Sequence, residues 1–188
     1  KDQGEFEDAI EVYKKALSIK PDFAEAHNNM GTVNQVLGKL EEAVEAHKKA
    51  ISINPENGEA YNNLGNVLRD QGMKEEAVEA YKKAISINPE WSEVHRNLSI
   101  MNRYTADDLH FKQVLDLIDD EGLDEDAKCN LSFALAKMYE DIDELDKSFE
   151  YLSQGNRLRK KVLRYSFEDD IVRCMQLKKV QPNLQKYS

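Results

Sequence analysis

Tyr61-Asn62-Asn63-Leu64-Gly65-Asn66-Val67-Leu68, followed by Gly72, Ala77, Tyr81, Ala84 and Pro89, is the stretch that decides the fold. Tyr61, Leu64, Gly65 and Leu68 recur at helical spacing, as do Ala77, Tyr81 and Ala84, so the stretch reads as two helices with Gly72 in the turn and Pro89 as the stop. Thirty-four residues upstream, the same slots hold His27, Met30, Gly31, Gly38, Ala43, His47, Ala50 and Pro55. The chain opens inside an earlier copy at Gly4, Ala9, Tyr13, Ala16 and Pro21, without that copy's first helix. Pro21, Pro55 and Pro89 therefore mark one point of a 34-residue unit. The residue types fit stacked helix pairs: small Gly65 and Ala77 sit at the close approach, and Tyr61, Leu64, Leu68 and Tyr81 fill the space around it. Gly38 and Gly72 suit a helix end in the left-handed conformation, and each Pro ends the second helix by removing a donor.

This unit resembles the tetratricopeptide repeat, a helix-turn-helix of the same period. The resemblance implies an all-α, right-handed superhelix of antiparallel helix pairs. The periodicity places about ten helices, over residues 5–19, 23–37, 40–53, 58–71, 74–87, 92–103, 106–119, 124–140, 144–164 and 167–178. Residues 1–104 form the repeat array, 105–165 a degenerate helical continuation, and 166–188 a last helix and polar linker.

Composition agrees. Of 188 residues, 40% are apolar and 33% charged, enough for a continuous helical core, and no apolar run approaches a membrane span. A soluble, cytoplasmic protein is expected, with no membrane partner. Cys129 and Cys174 lack paired spacing, which argues against a disulfide framework or a zinc site. The net charge of −10 disfavours nucleic acid as the partner, since phosphate binding needs a coherent basic surface. Charge is unevenly placed: residues 104–150 hold 15 acids against four lysines, and residues 151–188 hold nine bases against three acids, so the two segments can face each other. Arg157, Lys160, Lys161 and Arg164 form a basic helix row, read as a solvated face or as a partner of the acidic segment.

After Pro89 the repeat drifts. His95, Leu98 and Ser99 continue the first-helix pattern, but no glycine follows in the turn slot. Thr105, with Asp108 three residues on, reads as the cap of the next helix. The Asp119-Asp120-Glu121-Gly122 loop is acidic but out of register with a calcium loop. A degenerate pair appears when Leu135 is laid on Leu64: Ala136 then falls on Gly65, Tyr139 on Leu68, Ser148 on Ala77, Leu152 on Tyr81 and Gly155 on Ala84. Leu152, Leu158, Val162 and Tyr165 continue as an apolar stripe, and Ser166 with Asp169 signals a further helix before Pro182.

The stretch through His95-Arg96-Asn97-Leu98-Ser99, Tyr104 to Asp108, Leu123 to Asp126, Phe133 to Asp141 and Gly155 to Arg159 resembles bacterial tetratricopeptide-repeat sulfotransferases. That resemblance implies a parent enzyme in which a phosphosulfate-binding domain follows the helices. No glycine of this chain builds a phosphate-cradling loop, so the chain itself is expected to be non-catalytic and to hold no cofactor.

Among the histidines, His27 and His95 stand in the slot of Tyr61 and His47 in the slot of Tyr81, so they read as packing residues, while His110 shows no partner pattern. No Ser, Cys or carboxylate stands in a recognisable nucleophile setting. The candidate site is a ladder: Asn29, Asn63 and Asn97 recur every 34 residues on the first helices, with Asn28, Asn62, Asn66, Arg69, Arg96 and Arg103 extending the same polar face. A side-chain amide both donates and accepts, so such a row can grip an extended peptide, and it resembles the asparagine ladder of the peptide O-linked N-acetylglucosamine transferase superhelix. Two readings stay open, a peptide groove with free amides or asparagines bonded to neighbouring helices. The function classes are accordingly a protein- or peptide-binding scaffold, a substrate-recruiting segment of a sulfotransferase with its catalytic domain after Ser188, and a structural or self-associating array.

Overall fold

The computed structural model describes residues 2–163, within which the chain is all helical: α1 (Asp2–Ile19), α2 (Ala24–Val36), α3 (Leu40–Ile53), α4 (Gly58–Asp70), α5 (Lys74–Ile87), α6 (Ser92–Met101), α7 (Leu109–Ile118), α8 (Glu125–Asp141) and α9 (Leu145–Val162). No strand occurs among the described residues. The helix expected over 167–178, its Ser166 and Asp169 signal, and Arg164, Tyr165, Cys174 and Pro182 lie outside them.

Each turn between paired helices is closed in one way. Gly38 and Gly72 take φ of 73° and 77°, and the next amide reaches back five residues: Lys39 N–H donates to the Asn34 carbonyl at 2.9 Å and Met73 N–H to that of Leu68 at 2.9 Å. The degenerate pair repeats this without glycine. Asp143 takes φ of 63° and Glu144 N–H donates to the Tyr139 carbonyl at 3.0 Å, so Asp143 does the work of Gly72. Asp is among the few residues that visit this region at modest cost.

The helices form two layers. Side-chain bonds link α2 to α4 and α4 to α6, and α6 packs against α8, while α3, α5 and α9 pack behind their partners and α7 behind α8. At the close approach of α4 and α5, Gly65 faces a ring. A Cβ there would stand 2.6 Å from Cε1 of the fully buried Tyr81, nearer than the expected neighbour Ala77, and at Gly31 it would meet the His47 ring at 2.7 to 2.9 Å. Leu64, Leu68, Ala77, Tyr81, Val94 and Leu98 close the core around this contact.

The second half departs from the sequence reading at two places. Thr105 is not a helix cap: its carbonyl closes a turn to Asp108 N–H at 3.1 Å, and the Asp108 carboxylate caps α7 by accepting from His110 N–H at 2.9 Å, so α7 starts three residues later than expected. Leu152 does not fill the slot of Tyr81. Tyr151 stacks on Tyr139 with centroids 5.5 Å apart, and since helix neighbours point about 100° apart, Leu152 turns outward and is 41% exposed. Leu145, Phe149 and Val162 are exposed as well. The small-residue slots of that register do pack: Ser148 Oγ donates to the Ala136 carbonyl at 2.8 Å, and Gly155 lies against the Phe133 ring. Between the acidic and basic segments, Lys161 pairs with Glu125.

Candidate functional site

The asparagine row lies on α2, α4 and α6, and its members bond diagonally from one repeat to the next. Asn63 Nδ2 donates to Asn28 Oδ1 at 3.3 Å, and Asn97 Nδ2 donates to Asn62 Oδ1 at 3.3 Å and to Asn66 Oδ1 at 3.4 Å. Asn28 Nδ2 donates onward to Glu59 at 3.2 Å, and two turns along α2, Gln35 donates to Asp70 at 2.8 Å. The expectation of free amides therefore does not hold at Asn63 and Asn97, because stacking places each beside an asparagine of the preceding helix and a half-buried amide takes such a partner. Asn29 is exposed and bonds nothing.

Asn28 is bonded at both amide atoms, but the bonding leaves half of each of the other bonded amides unused. Asn63 and Asn97 keep their oxygens, and Asn62 and Asn66 keep their nitrogens. Among the described residues, the only buried side-chain polar atom without a partner is His47 Nε2, so these unused amide atoms reach solvent. The row thus offers donors and acceptors on one face, each held in a fixed orientation by the bond its other end makes.

Second-layer side chains fix that orientation from behind. Tyr81 O–H donates to Asn66 Oδ1 at 2.9 Å, and burial holds its phenol up at about 12. His47 stands in the same slot one repeat earlier, and its Nδ1–H donates to Asn28 Oδ1 at 2.9 Å. Burial depresses the His47 pKa to about 4, so the ring is neutral.

The arginines behave differently. Arg69 pairs with Asp70 at 3.2 Å on the surface. Arg96 lies over the Phe133 ring, 5.2 Å from its centroid. Arg103 was expected on the helical row, but α6 ends at Met101, and Arg103 sits exposed in the segment that follows.

A second cluster, invisible in the sequence, joins α6, α7 and the segment between them. His95 Nε2–H donates to the Pro89 carbonyl at 2.7 Å, which fixes its Nδ1 as an acceptor. His110 Nε2–H fills that acceptor at 2.8 Å, and Tyr104 O–H donates to His110 Nδ1 at 2.8 Å. Both imidazoles are thereby neutral. The rings stack at 5.0 Å, burial lowers both histidine pKa values, that of His110 to about 3, and burial raises the Tyr104 phenol. A cavity of about 610 Å³ lies beside His110, floored by Ile85, Pro89 and Leu98. His27 makes the same contact as His95, its Nε2–H donating to the Pro21 carbonyl at 2.9 Å.

Two family models match the sequence, one described as TPR repeat over residues 1–35 and one as tetratricopeptide repeat over residues 22–90. Residues 1–90 thus match the tetratricopeptide repeat. The TPR fold extends further along the chain: a crystal structure of MamA superposes with a TM-score of 0.63 at 22% identity, covering 87% of this chain and 94% of that one. A structure of YrrB, a TPR protein with an unusual peptide-binding site, gives 0.61 at 22% identity over 82% and 78%. No curated protein matches the sequence. Among the described residues, no helix is long and apolar enough to cross a membrane.

Proposed function

We propose that this chain is a non-catalytic scaffold that binds an extended segment of a protein partner along the polar face of α2, α4 and α6. The repeat array up to α6 carries the face, and α7, α8 and α9 continue the array. The supporting observation is the half-used amide row: Asn62 and Asn66 retain donors while Asn63 and Asn97 retain acceptors, and Asn29 retains both. A peptide offers one N–H and one C=O per residue, which such a row complements. Neighbouring helices packed about 8–10 Å apart match about three residues of extended chain at about 3.3 Å each, so one ladder position meets every third residue. YrrB, of the same fold, is a TPR protein with a peptide-binding site, which supports the reading.

The test is a peptide library screened by fluorescence polarisation against the native chain and a variant with Asn29, Asn63 and Asn97 all replaced by Ala. Each lost hydrogen bond is worth about 0.5–1.5 kcal/mol net, so affinity should fall at least about tenfold while far-UV circular dichroism is unchanged. Equal binding by both proteins would assign the row to structure alone. Recruitment of substrate for a sulfotransferase domain rests on the residues of the second half and is decided by the sequence that follows Ser188.

A further inference from the structure

The binding face changes chemistry where α6 meets α8. Arg96 occupies the position of Asn62 one repeat on, and in place of an amide partner its guanidinium lies over Phe133 of α8, 5.2 Å from the centroid. Phe133 is fixed from the other side, because α9 brings Gly155 against it so closely that a Cβ there would come within 3.1 to 3.2 Å of the ring. Ile100, one helical turn from Arg96 on α6 and so on the same side, is 56% exposed. Arg159 stands one turn beyond Gly155 on α9 and so on the side of that helix that meets Phe133, and both Arg96 and Arg159 act electrostatically on the Cys129 thiol of α8. Asp126 acts on the same thiol with opposite sign, and the neighbouring Glu125 is taken by Lys161. Neither the Arg96 nor the Arg159 side chain has a hydrogen-bond or ion-pair partner among the described residues.

A surface apolar side chain or a solvated arginine is ordinary when alone. Here two guanidiniums without counter-ions, one held in place on an aromatic ring, border an exposed isoleucine on a chain of net charge −10. The ring holds the Arg96 guanidinium on one side, and its N–H donors, without a partner among the described residues, form the fork that binds a carboxylate in two parallel bonds.

We propose that Arg96, Arg159, Ile100 and Phe133 form a subsite at the α6, α8 and α9 end of the face that takes an acidic side chain next to a large apolar one in the partner's extended segment. This rests on the peptide-binding reading above and adds to it a sequence preference and a direction, since the amide row grips backbone and this end reads side chains.

The experiment is a positional-scanning library of short peptides, read by fluorescence polarisation against the full chain, the Arg96→Gln/Arg159→Gln double variant, and Ile100→Ser, whose exposed position leaves folding intact. Native protein should select Asp or Glu adjacent to Phe, Leu, Ile or Tyr. The double variant should lose about tenfold of the acid preference, and the salt dependence with it, while keeping its affinity for neutral peptides. Ile100→Ser should lose the apolar preference and keep the acidic one. Selection of peptides with no acidic or apolar preference, or a preference unchanged in the double variant, overturns the subsite while leaving the amide row standing. Absence of any selected peptide overturns both readings. Displacement of bound acidic peptide by an oligouridylate with equal potency overturns the assignment to a protein partner.

Discussion

Mild acid should destabilise this fold through three imidazoles that it holds neutral. His47, His95 and His110 are buried with depressed pKa values, to about 4 for His47 and about 3 for His110, chiefly through desolvation. Charges facing the second cluster add to this: Lys82 of α5 repels a proton on His110, while Asp108 is committed to capping α7 and Asp141 of α8 to the Tyr104 amide. In the unfolded chain each ring has an ordinary pKa of about 6.5 and takes up a proton that the folded chain refuses, so stability is full above that value and falls as pH drops towards the folded pKa. Between pH 7.5 and 5.5, each such ring removes about 1.4 kcal/mol, so His47 and His110 together remove about 3 kcal/mol from a total that is typically 5–15. The lower end of that range remains above the pI of 5.0. Urea unfolding followed by circular dichroism at a series of pH values measures the slope. His47→Tyr, which installs the residue that the next repeat carries in that slot, should flatten it by about half of the two-histidine effect, about 1.4 kcal/mol. A loss below about 1 kcal/mol in the native chain, or an unchanged slope in the variant, would refute the assignment of neutral buried rings.

Packing makes further predictions. Gly65→Ala drives a methyl into the buried Tyr81 ring, which should cost about 1–3 kcal/mol in urea unfolding, and an unchanged midpoint would contradict the contact. Tyr81→Phe removes the donor to Asn66 Oδ1 but leaves that oxygen its bond from Asn97, so the loss should be confined to about 0.5–1.5 kcal/mol. Asp143→Gly relieves a left-handed aspartate and should raise stability by up to about 1 kcal/mol, whereas a lowered midpoint would mean that the aspartate side chain itself stabilises the turn.

The period of 34 residues carries most of the architecture, because Gly38, Gly72 and the prolines mark turns whose backbone demands those residues. Asp143 escaped because the left-handed position admits Asp as well as Gly, and only the backbone bond from Glu144 to Tyr139 shows the turns to be the same. The ladder asparagines were found by spacing alone. Their bonding was not, since the partners Asn28 and Asn63 are 35 residues apart and meet only once the helices are stacked. The start of α7 failed through local competition: Thr105 and Asp108 both suit a cap, and the turn they close together gives the role to Asp108. Leu152 failed because a one-residue shift on a helix needs only one stacked pair of rings, Tyr139 and Tyr151, to decide it. His110 had no sequence signal at all, as its partners His95 and Tyr104 lie on other segments.

The chain of bonds from Tyr104 through His110 and His95 to the Pro89 carbonyl also bears on how this sequence can drift over generations. A tyrosine at position 95, as at position 61, would present a hydroxyl with a different reach and strand the His110 N–H, so changes at 95 and 110 should be inherited together rather than singly. Position 27, whose histidine side chain hydrogen-bonds the Pro21 carbonyl and no second ring, carries no such tie and should vary alone. In an alignment of descendants, linked columns at 95 and 110 beside an independent column at 27 would be the evolutionary trace of a hydrogen-bond chain with a single permitted direction.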